Sequence, residues 1–192
     1  MLFCSVGSRY FANEQAGGNI MIETERLQLV SFKSSYAQAV LKGRSHLERL
    51  FPYAISPQWP NANYSLLLPI IALDVLNHPF KQQWNRFIVH KKQRLLVGQI
   101  SCYEYPDQKD HVEIGYGVVT DYRGYGYGSE VVKAFISWLF SHEHIHTIVA
   151  ECVIENKASA RVLEKCGFCN TSNSGERTYW ELIRQKRNVK LF

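Results

Sequence analysis

The sequence predicts a mixed α/β domain in which a mostly antiparallel sheet is flanked by helices. Apolar residues alternate with period two in an early segment, the period changes to a strand-like one in three consecutive central segments, and other segments follow the helical period. The central segments succeed one another as a meander joined by short turns. Three glycines at alternate positions, Gly124, Gly126 and Gly128, stand where a strand gives way to a helix.

Each element has its own warrant. Residues 1–20 lack periodicity, and lack the apolar stretch behind a basic start that marks a secretory signal. They read as a loosely held extension, with Met21 opening a single domain over residues 21–192. Residues 25–32 alternate, placing Leu27, Leu29 and Ser31 on one side. Residues 34–50 carry a helical stripe of Ala37, Val40 and Leu41, with Leu47 and Leu50 beyond, and Pro52, Pro57 and Pro60 make the next stretch a loop. Residues 64–77 are apolar and helical, with Pro69 expected near a start or a kink.

Residues 86–90 and 94–104 form two antiparallel strands about the turn Lys91-Lys92-Gln93, and residues 111–119 a third after the turn 106–110. Over residues 126–141, Val132, Phe135, Ile136 and Leu139 share a helical face. Residues 145–154 are apolar on both faces, which marks a central strand. Asn156 is a good N-cap for a helix over residues 156–166, with Ser159, Val162, Leu163 and Cys166 on one face and Gly167 as its stop. A last strand covers residues 177–184, and the number of strands at this end is left open.

The chain has 192 residues, 46% hydrophobic and 20% charged, enough for one domain with a real core. A formal charge of +5 suits a small anionic ligand and is too weak and diffuse for a duplex-binding face, so no nucleic-acid partner is expected. Five cysteines without a repeating spacing argue for a reducing cytoplasm. No apolar run reaches the ~18 residues that span a bilayer, so no membrane partner is expected.

The glycines admit three readings: a turn with no ligand, a dinucleotide loop, or a cradle for the pyrophosphate of coenzyme A. Gly124-x-Gly126-x-x-Ser129, with Glu151 downstream, nearly fits the dinucleotide pattern of a Rossmann domain. Against it, Ser129 replaces the third glycine, and the loop follows a meander where the pattern calls for an opening βαβ unit. A Walker loop is excluded, since no Gly-Lys-Ser/Thr is present.

Arg123-x-x-Gly126-x-Gly128 resembles the Arg/Gln-x-x-Gly-x-Gly/Ala motif of the GNAT superfamily of N-acetyltransferases. Asn156-x-x-Ser159-x-x-Val162-Leu163-Glu164-x-x-Gly167-Phe168 resembles the second signature of its RimJ/RimL-like ribosomal-protein branch, and Met21 to Leu27 is similar to the start of that branch. The resemblance covers residues 21–184. It implies the acyl-CoA N-acyltransferase (GNAT) fold and transfer of acetyl from acetyl-CoA, as cosubstrate and without a metal, to a primary amine. The acceptor amine is a small molecule or a protein N-terminus, and a homodimer is compatible with it. Attack is direct, in a ternary complex. Two rivals stand beside it: a non-catalytic acyl-CoA-binding sensor, and an NAD(P) oxidoreductase through the Rossmann reading.

The resemblance also implies roles. The backbone N–H groups of Arg123, Gly124, Tyr125, Gly126, Tyr127, Gly128 and Ser129 would bind the pyrophosphate at the positive end of the following helix. Arg123 would add a charge-assisted hydrogen bond or hold the loop by a salt bridge, and Tyr125 and Tyr127 would stay outside the cradle, exposed or against adenine. Residues 116–118 would offer free strand groups to the pantetheine arm, Gly115 and Gly117 would mark a bulge or close approach, and the N–H near Val118 would polarise the thioester carbonyl.

Asn156 would hydrogen-bond the cofactor, or serve as a plain N-cap. Ser159 would sit beside the leaving thiolate, or be a helix-surface serine. The tyrosine that many relatives use as general acid falls at Leu163, so that role is lost at this position. Glu113 is the candidate base on the face opposite Tyr116, against a plain solvated glutamate, with Glu176 and Glu181 as second choices. The segment 169–176 is shorter than is usual in the branch. The histidines His142, His144 and His146 and the pair Cys166 and Cys169 are set aside: the first lack a ligand cluster, and the second closes a helix where redox motifs open one.

Overall fold

Alternation at Leu27, Leu29 and Ser31 is the pattern of a strand with one sealed face. In a computed structural model of the protein, which describes residues 21–105 and 108–185, these side chains keep 0%, 0% and 5% of their surface. This strand is β2 (Leu27–Ser31), preceded by the short β1 (Ile22–Glu23). The extension 1–20 and the end of the basic tail lie outside the described residues.

Two helices follow where the sequence pattern predicted one: α1 (Ser34–Leu41) and α2 (Arg44–Leu50). Gly43 separates them at φ 107°, a conformation that side chains rarely adopt, and it resets the axis. After the short β3 (Ala54–Ile55), the helix α3 (Ala62–Asn77) starts on an Asn61 cap, whose Oδ1 accepts from the Tyr64 N–H at 2.9 Å. Pro69 lies inside α3, not at its start. Both Pro69 and Ser65, whose carbonyl loses its helical partner to the proline, face solvent, where water can replace the missing bond.

The meander is β4 (Asn85–His90), β5 (Leu95–Glu104) and β6 (His111–Val118). Then come α4 (Tyr127–Leu139), β7 (Thr147–Val153), α5 (Lys157–Lys165) and the hairpin of β8 (Cys169–Ser174) and β9 (Arg177–Ile183). The extra strand β8 is exposed along its length and polar after Cys169, so no apolar alternation announced it. A polar edge strand of this kind discourages further pairing.

One sheet holds all nine strands of the described residues, in the order β1-β2-β4-β5-β6-β7-β9-β8, with β3 added on β5. Among the described strands only β3–β5 and β6–β7 pair in parallel. The central position expected for residues 145–154 is that of β7, between β6 and β9. Helices α1 and α3 pack together, and α4 and α5 pack together. The expected face of α4 is sealed: Val132, Phe135 and Leu139 keep no surface and Ile136 keeps 9%. Each such side chain contributes roughly 1.5–3 kcal/mol of transfer free energy.

Gly98 is the glycine the sheet demands. A methyl group there would stand 2.2 Å from the Gly117 carbonyl oxygen, so β5 and β6 could not approach. The register shift in this region falls between β4 and β5 at Ile88/Val89, and β5–β6 runs continuously through Gly115 and Gly117. The bulge expected at those two glycines is therefore absent from the β5–β6 pairing.

Candidate active site

Strand β6 supplies the axis of the site. The Val119 N–H donates to Val97 O at 2.8 Å, and His111 O accepts from Tyr105 at 3.2 Å. Odd-numbered residues here thus turn their main-chain groups toward β5, and alternation turns those of Ile114, Tyr116 and Val118 toward β7. There β7 keeps pace only over three pairs, His111↔Thr147, Val112↔Ile148 and Glu113↔Val149. Beyond them the strands part, and β7 continues by pairing β9 along its whole length. A cleft of about 240 Å³ opens at the parting, lined by Asn63, Gly115, Tyr116, Glu151, Asn156 and Ser159 among others.

At the end of β6 the chain makes one 3-10 turn (Thr120–Tyr122) and enters the glycine loop. Gly124 and Gly126 adopt φ 84° and 83°, and Gly126 caps α4. The first helical bond closes from the Glu130 N–H to Gly126 O. Among the described residues, the backbone N–H groups of residues 124–129 have no acceptor, which leaves a row of donors at the positive end of α4. That is the chemistry of a pyrophosphate cradle, and the residues fit one.

The third glycine has a different reason. A methyl on Gly128 would press on Val162 Cγ2 at 3.3 Å, so its bareness lets α5 approach α4. Arg123 makes no salt bridge among the described residues; its Nε donates to Val118 O at 3.0 Å and ties the loop to the end of β6. Tyr125 is 65% exposed. Tyr127 is half-buried, edge-on to His90, whose Nε2 lies 3.1 Å from the Tyr127 hydroxyl. Since His90 Nδ1 accepts from the Gln93 N–H, the ring proton sits on Nε2 and points at Tyr127.

Sequence reasoning missed what braces the loop. Arg26 lays its guanidinium 4.4 Å over the Tyr127 ring, donates to Tyr125 O at 3.0 Å, and pairs with Glu130 in the first turn of α4 at 2.6 Å. Thr24 and the Arg26 N–H also bond Glu130. Partial burial opposes ionisation of Glu130, but these donors outweigh it and hold its carboxyl below the ordinary value. The similarity of residues 21–27 to a family opening was the only signal for this brace.

On α5, Asn156 caps the helix: its Oδ1 accepts from the Ser159 N–H at 3.1 Å. The Ser159 hydroxyl lies 2.9 Å from the Tyr116 hydroxyl, which also reaches Ser159 O at 3.2 Å. Burial pushes the Tyr116 phenol up, so it stays protonated. Leu163, where a relative's tyrosine would stand, keeps no surface. The phenol in this cleft therefore comes from Tyr116 on β6, for which the sequence suggested main-chain groups toward the pantetheine arm but no role for the side chain.

Glu113 does project to that opposite face. With Glu151, Glu181, Tyr105 and Tyr179 it lines a hollow of about 120 Å³. Burial raises the Glu113 carboxyl, and the charge of Glu151 adds to the rise, while Arg177 works against both. Arg177 pairs with Glu151 at 2.5 Å. Of the second choices, Glu181 stands in this hollow, in register with Val149 and hence with Glu113, whereas Glu176 is exposed at the tip of the last hairpin.

Among the described residues no His/Cys/Asp/Glu group is placed to hold a metal ion. Cys166 caps the end of α5, and Cys169 begins β8. No helix of the described residues is long and apolar enough to cross a membrane. The loop does join a parallel β6–α4–β7 unit, but the sheet around that unit is mostly antiparallel, unlike the parallel sheet of a Rossmann domain, and Glu151 is engaged by Arg177.

The chain matches the family model described as "Acetyltransferase (GNAT) domain" over residues 26–169. It is 26% identical over 162 residues to the uncharacterized N-acetyltransferase YjdG of Bacillus subtilis, covering 84% of this chain and 96% of that protein. The solved GNAT-family acetyltransferase from Bacillus anthracis superposes with a TM-score of 0.59 at 22% identity, over 85% of this chain and 98% of that one. RimL, a ribosomal alpha-N-protein acetyltransferase solved in complex with coenzyme A, gives 0.59 at 19%, over 85% and 97%. With a family model spanning most of its length, and with an unpartnered amide row beside a parted pair of strands, this chain belongs to the GNAT family of acetyltransferases.

Proposed function

We propose that the protein transfers an acetyl group from acetyl-CoA to a primary amine, by direct attack in a ternary complex, in the manner of the RimJ/RimL-like branch. The observation that supports this is the parting of β6 from β7 after Glu113, which opens a cleft at Tyr116 and leaves the rest of β6 without a strand partner on that side, on a strand that runs on into the loop carrying the free amides of residues 124–129.

Acetyl-CoA would supply an activated thioester. Residues 124–129 would hold its pyrophosphate, and Asn156, on the cleft wall, would border the pantetheine arm. The Val118 N–H, left free because Arg123 engages only the Val118 carbonyl, would stabilise negative charge on the thioester oxygen. Glu113, raised by burial, would take the proton of the incoming ammonium directly or through water. Ser159, held at its N–H by Asn156 and at its hydroxyl by Tyr116, would stand beside the departing sulfur. The Tyr116 phenol, kept protonated by burial, would supply the proton through Ser159.

Two measurements test the reading. Coenzyme A raises the melting temperature and NAD does not. With acetyl-CoA, a panel of small amines and peptide N-termini releases free thiol in an amine-dependent manner. Binding without amine-dependent release would leave an acyl-CoA sensor, and stabilisation by NAD alone would overturn the assignment.

A further inference from the structure

Two side-chain amides converge on β6 with their donors aimed at the same spot and nothing there to receive them. Gln99, in register with Gly117 on the neighbouring strand, keeps only 4% of its surface. Its Oε1 accepts from the Trp59 indole N–H at 2.9 Å. An indole nitrogen can only donate, so the atom facing it must be the oxygen, and the amide orientation is fixed by chemistry. The same logic fixes Asn61. Its Oδ1 accepts from the Tyr64 N–H, so the other arm is the NH₂ group.

Both NH₂ groups therefore point at β6. A methyl group on Gly117 would meet Gln99 Nε2 at 2.9 Å and Asn61 Nδ2 at 3.3 Å. Neither nitrogen has an acceptor among the described residues. Neither is sealed from solvent either. Two donors cannot satisfy one another; what they fit is an oxygen with lone pairs.

The spot lies where an acceptor would approach. Gly117, Gly115 and Glu113 share one face of β6, away from Tyr116 and α5. A methyl on Gly115 would touch only Tyr103 Cε2, at 3.9 Å. The strip from Glu113 to the amide pair is thus bare main chain, about 13 Å long at ~3.3 Å per residue. A carboxyl-bearing end and a donor-bearing end face a molecule laid along it.

We infer that Asn61 and Gln99 form an oxygen-binding subsite for the acceptor, which takes a carbonyl-type oxygen carried on the same molecule as the reacting amine. The inference rests on the acetyl-transfer reading above. It makes these residues determinants of specificity: amines bearing an amide or carboxylate oxygen within reach of the pair are preferred over plain alkylamines.

The test compares amines with and without that oxygen. Glycinamide and glycylglycinamide carry amide oxygens at two reaches, glycine and glycylglycine carry carboxylates, and ethylamine and pentylamine carry neither. Asn61→Ser keeps a capping oxygen for α3 and loses the amide donor. Gln99→Glu keeps the oxygen for Trp59 and replaces the donor by an acceptor. Circular dichroism and melting temperature check that each variant is folded. In each variant, kcat/KM for the best carbonyl-bearing amine, relative to the alkylamine of similar length, falls about tenfold, the scale of one hydrogen bond to a well-placed group. Whether the amides or the carboxylates show the effect identifies the source of the oxygen. A wild-type enzyme that uses alkylamines equally well overturns the subsite, as does a loss of the same size on both acceptor types. Loss of coenzyme A affinity in the variants also overturns it, by moving the oxygen to the donor. A wild-type chain that neither binds coenzyme A nor releases thiol overturns the reading beneath it, and the subsite with it.

Discussion

Arg26 and Glu130 stand 104 residues apart in the sequence and 2.6 Å apart in the fold. Their contact fastens the lead-in to β2 onto the first turn of α4, directly behind the free amides. With the Thr24 hydroxyl on the same carboxylate, the pair decides how stiffly the loop is presented.

Breaking this brace weakens cofactor binding and has a defined pH signature. Glu130→Gln and Arg26→Ala each lower coenzyme A affinity about threefold to tenfold, on the scale of one ion pair beside a helix end. A carboxyl held below its ordinary 4.5 contributes stability that is present above that pH and is lost as pH falls through the folded value. The melting-temperature gap between wild type and Glu130→Gln is therefore full at pH 7 and closes below about pH 4.5. Calorimetry across pH 3–8 measures it; a gap independent of pH contradicts the assignment.

The three loop glycines separate into two kinds. Gly124→Ala and Gly126→Ala force a side chain into the left-handed region, at roughly 1–2 kcal/mol, and disturb the donor row. Both weaken coenzyme A binding about tenfold or more in isothermal titration. Gly128→Ala meets Val162 instead, so it lowers the melting temperature through the α4–α5 contact, and Val162→Ala in the same chain recovers part of the loss. Equal effects of all three on affinity would refute the division.

Glu113 predicts the acid limb of the rate profile. It must be ionised to accept a proton, so activity falls as pH drops through its folded pKa, which burial and Glu151 hold above 4.5. Glu113→Gln lowers kcat about a hundredfold and flattens that limb. Glu151→Gln removes the like charge, and the limb shifts to lower pH. A limb that survives unchanged in Glu113→Gln rules Glu113 out as the base.

Tyr116 and Ser159 act as one unit if the reading of the cleft is right. Tyr116→Phe lowers kcat about tenfold to a hundredfold with little change in acceptor KM. Ser159→Ala lowers kcat by a similar factor, since it removes the hydroxyl through which the phenol's proton would pass. The double variant loses much less than the combined single losses. Additive losses would make the two hydroxyls independent.

Sequence pattern carried the elements whose burial is one-sided or complete. A change of period marked the meander, and the spacing of Val132, Phe135, Ile136 and Leu139 marked α4, because their partners are simply the core. Elements held by something other than burial did not announce themselves: the break at Gly43 is a backbone conformation, and β8 is six exposed residues, polar after Cys169, held to β9 by main-chain pairing and by the Thr171 hydroxyl on Tyr179 O. The site divided the same way. The loop motif and the Asn156 cap are local in sequence and could be read there. The brace of Arg26 on Glu130, the meeting of Tyr116 with Ser159, and the approach of Gln99 and Asn61 to Gly117 join distant segments, and only the sheet register brings them together.

The parting of β6 from β7 gives the sheet an inner margin as well as its two outer ones. Outer margins are blunted here by polar residues, as on β8, but an inner margin that must receive a cofactor arm cannot be blunted in that way. It is a template that any extended peptide could zip into, including one from a half-folded sister chain. Arg123 covers one of its carbonyls, that of Val118. The arginine of the loop motif thus leaves that inner margin with one open acceptor fewer.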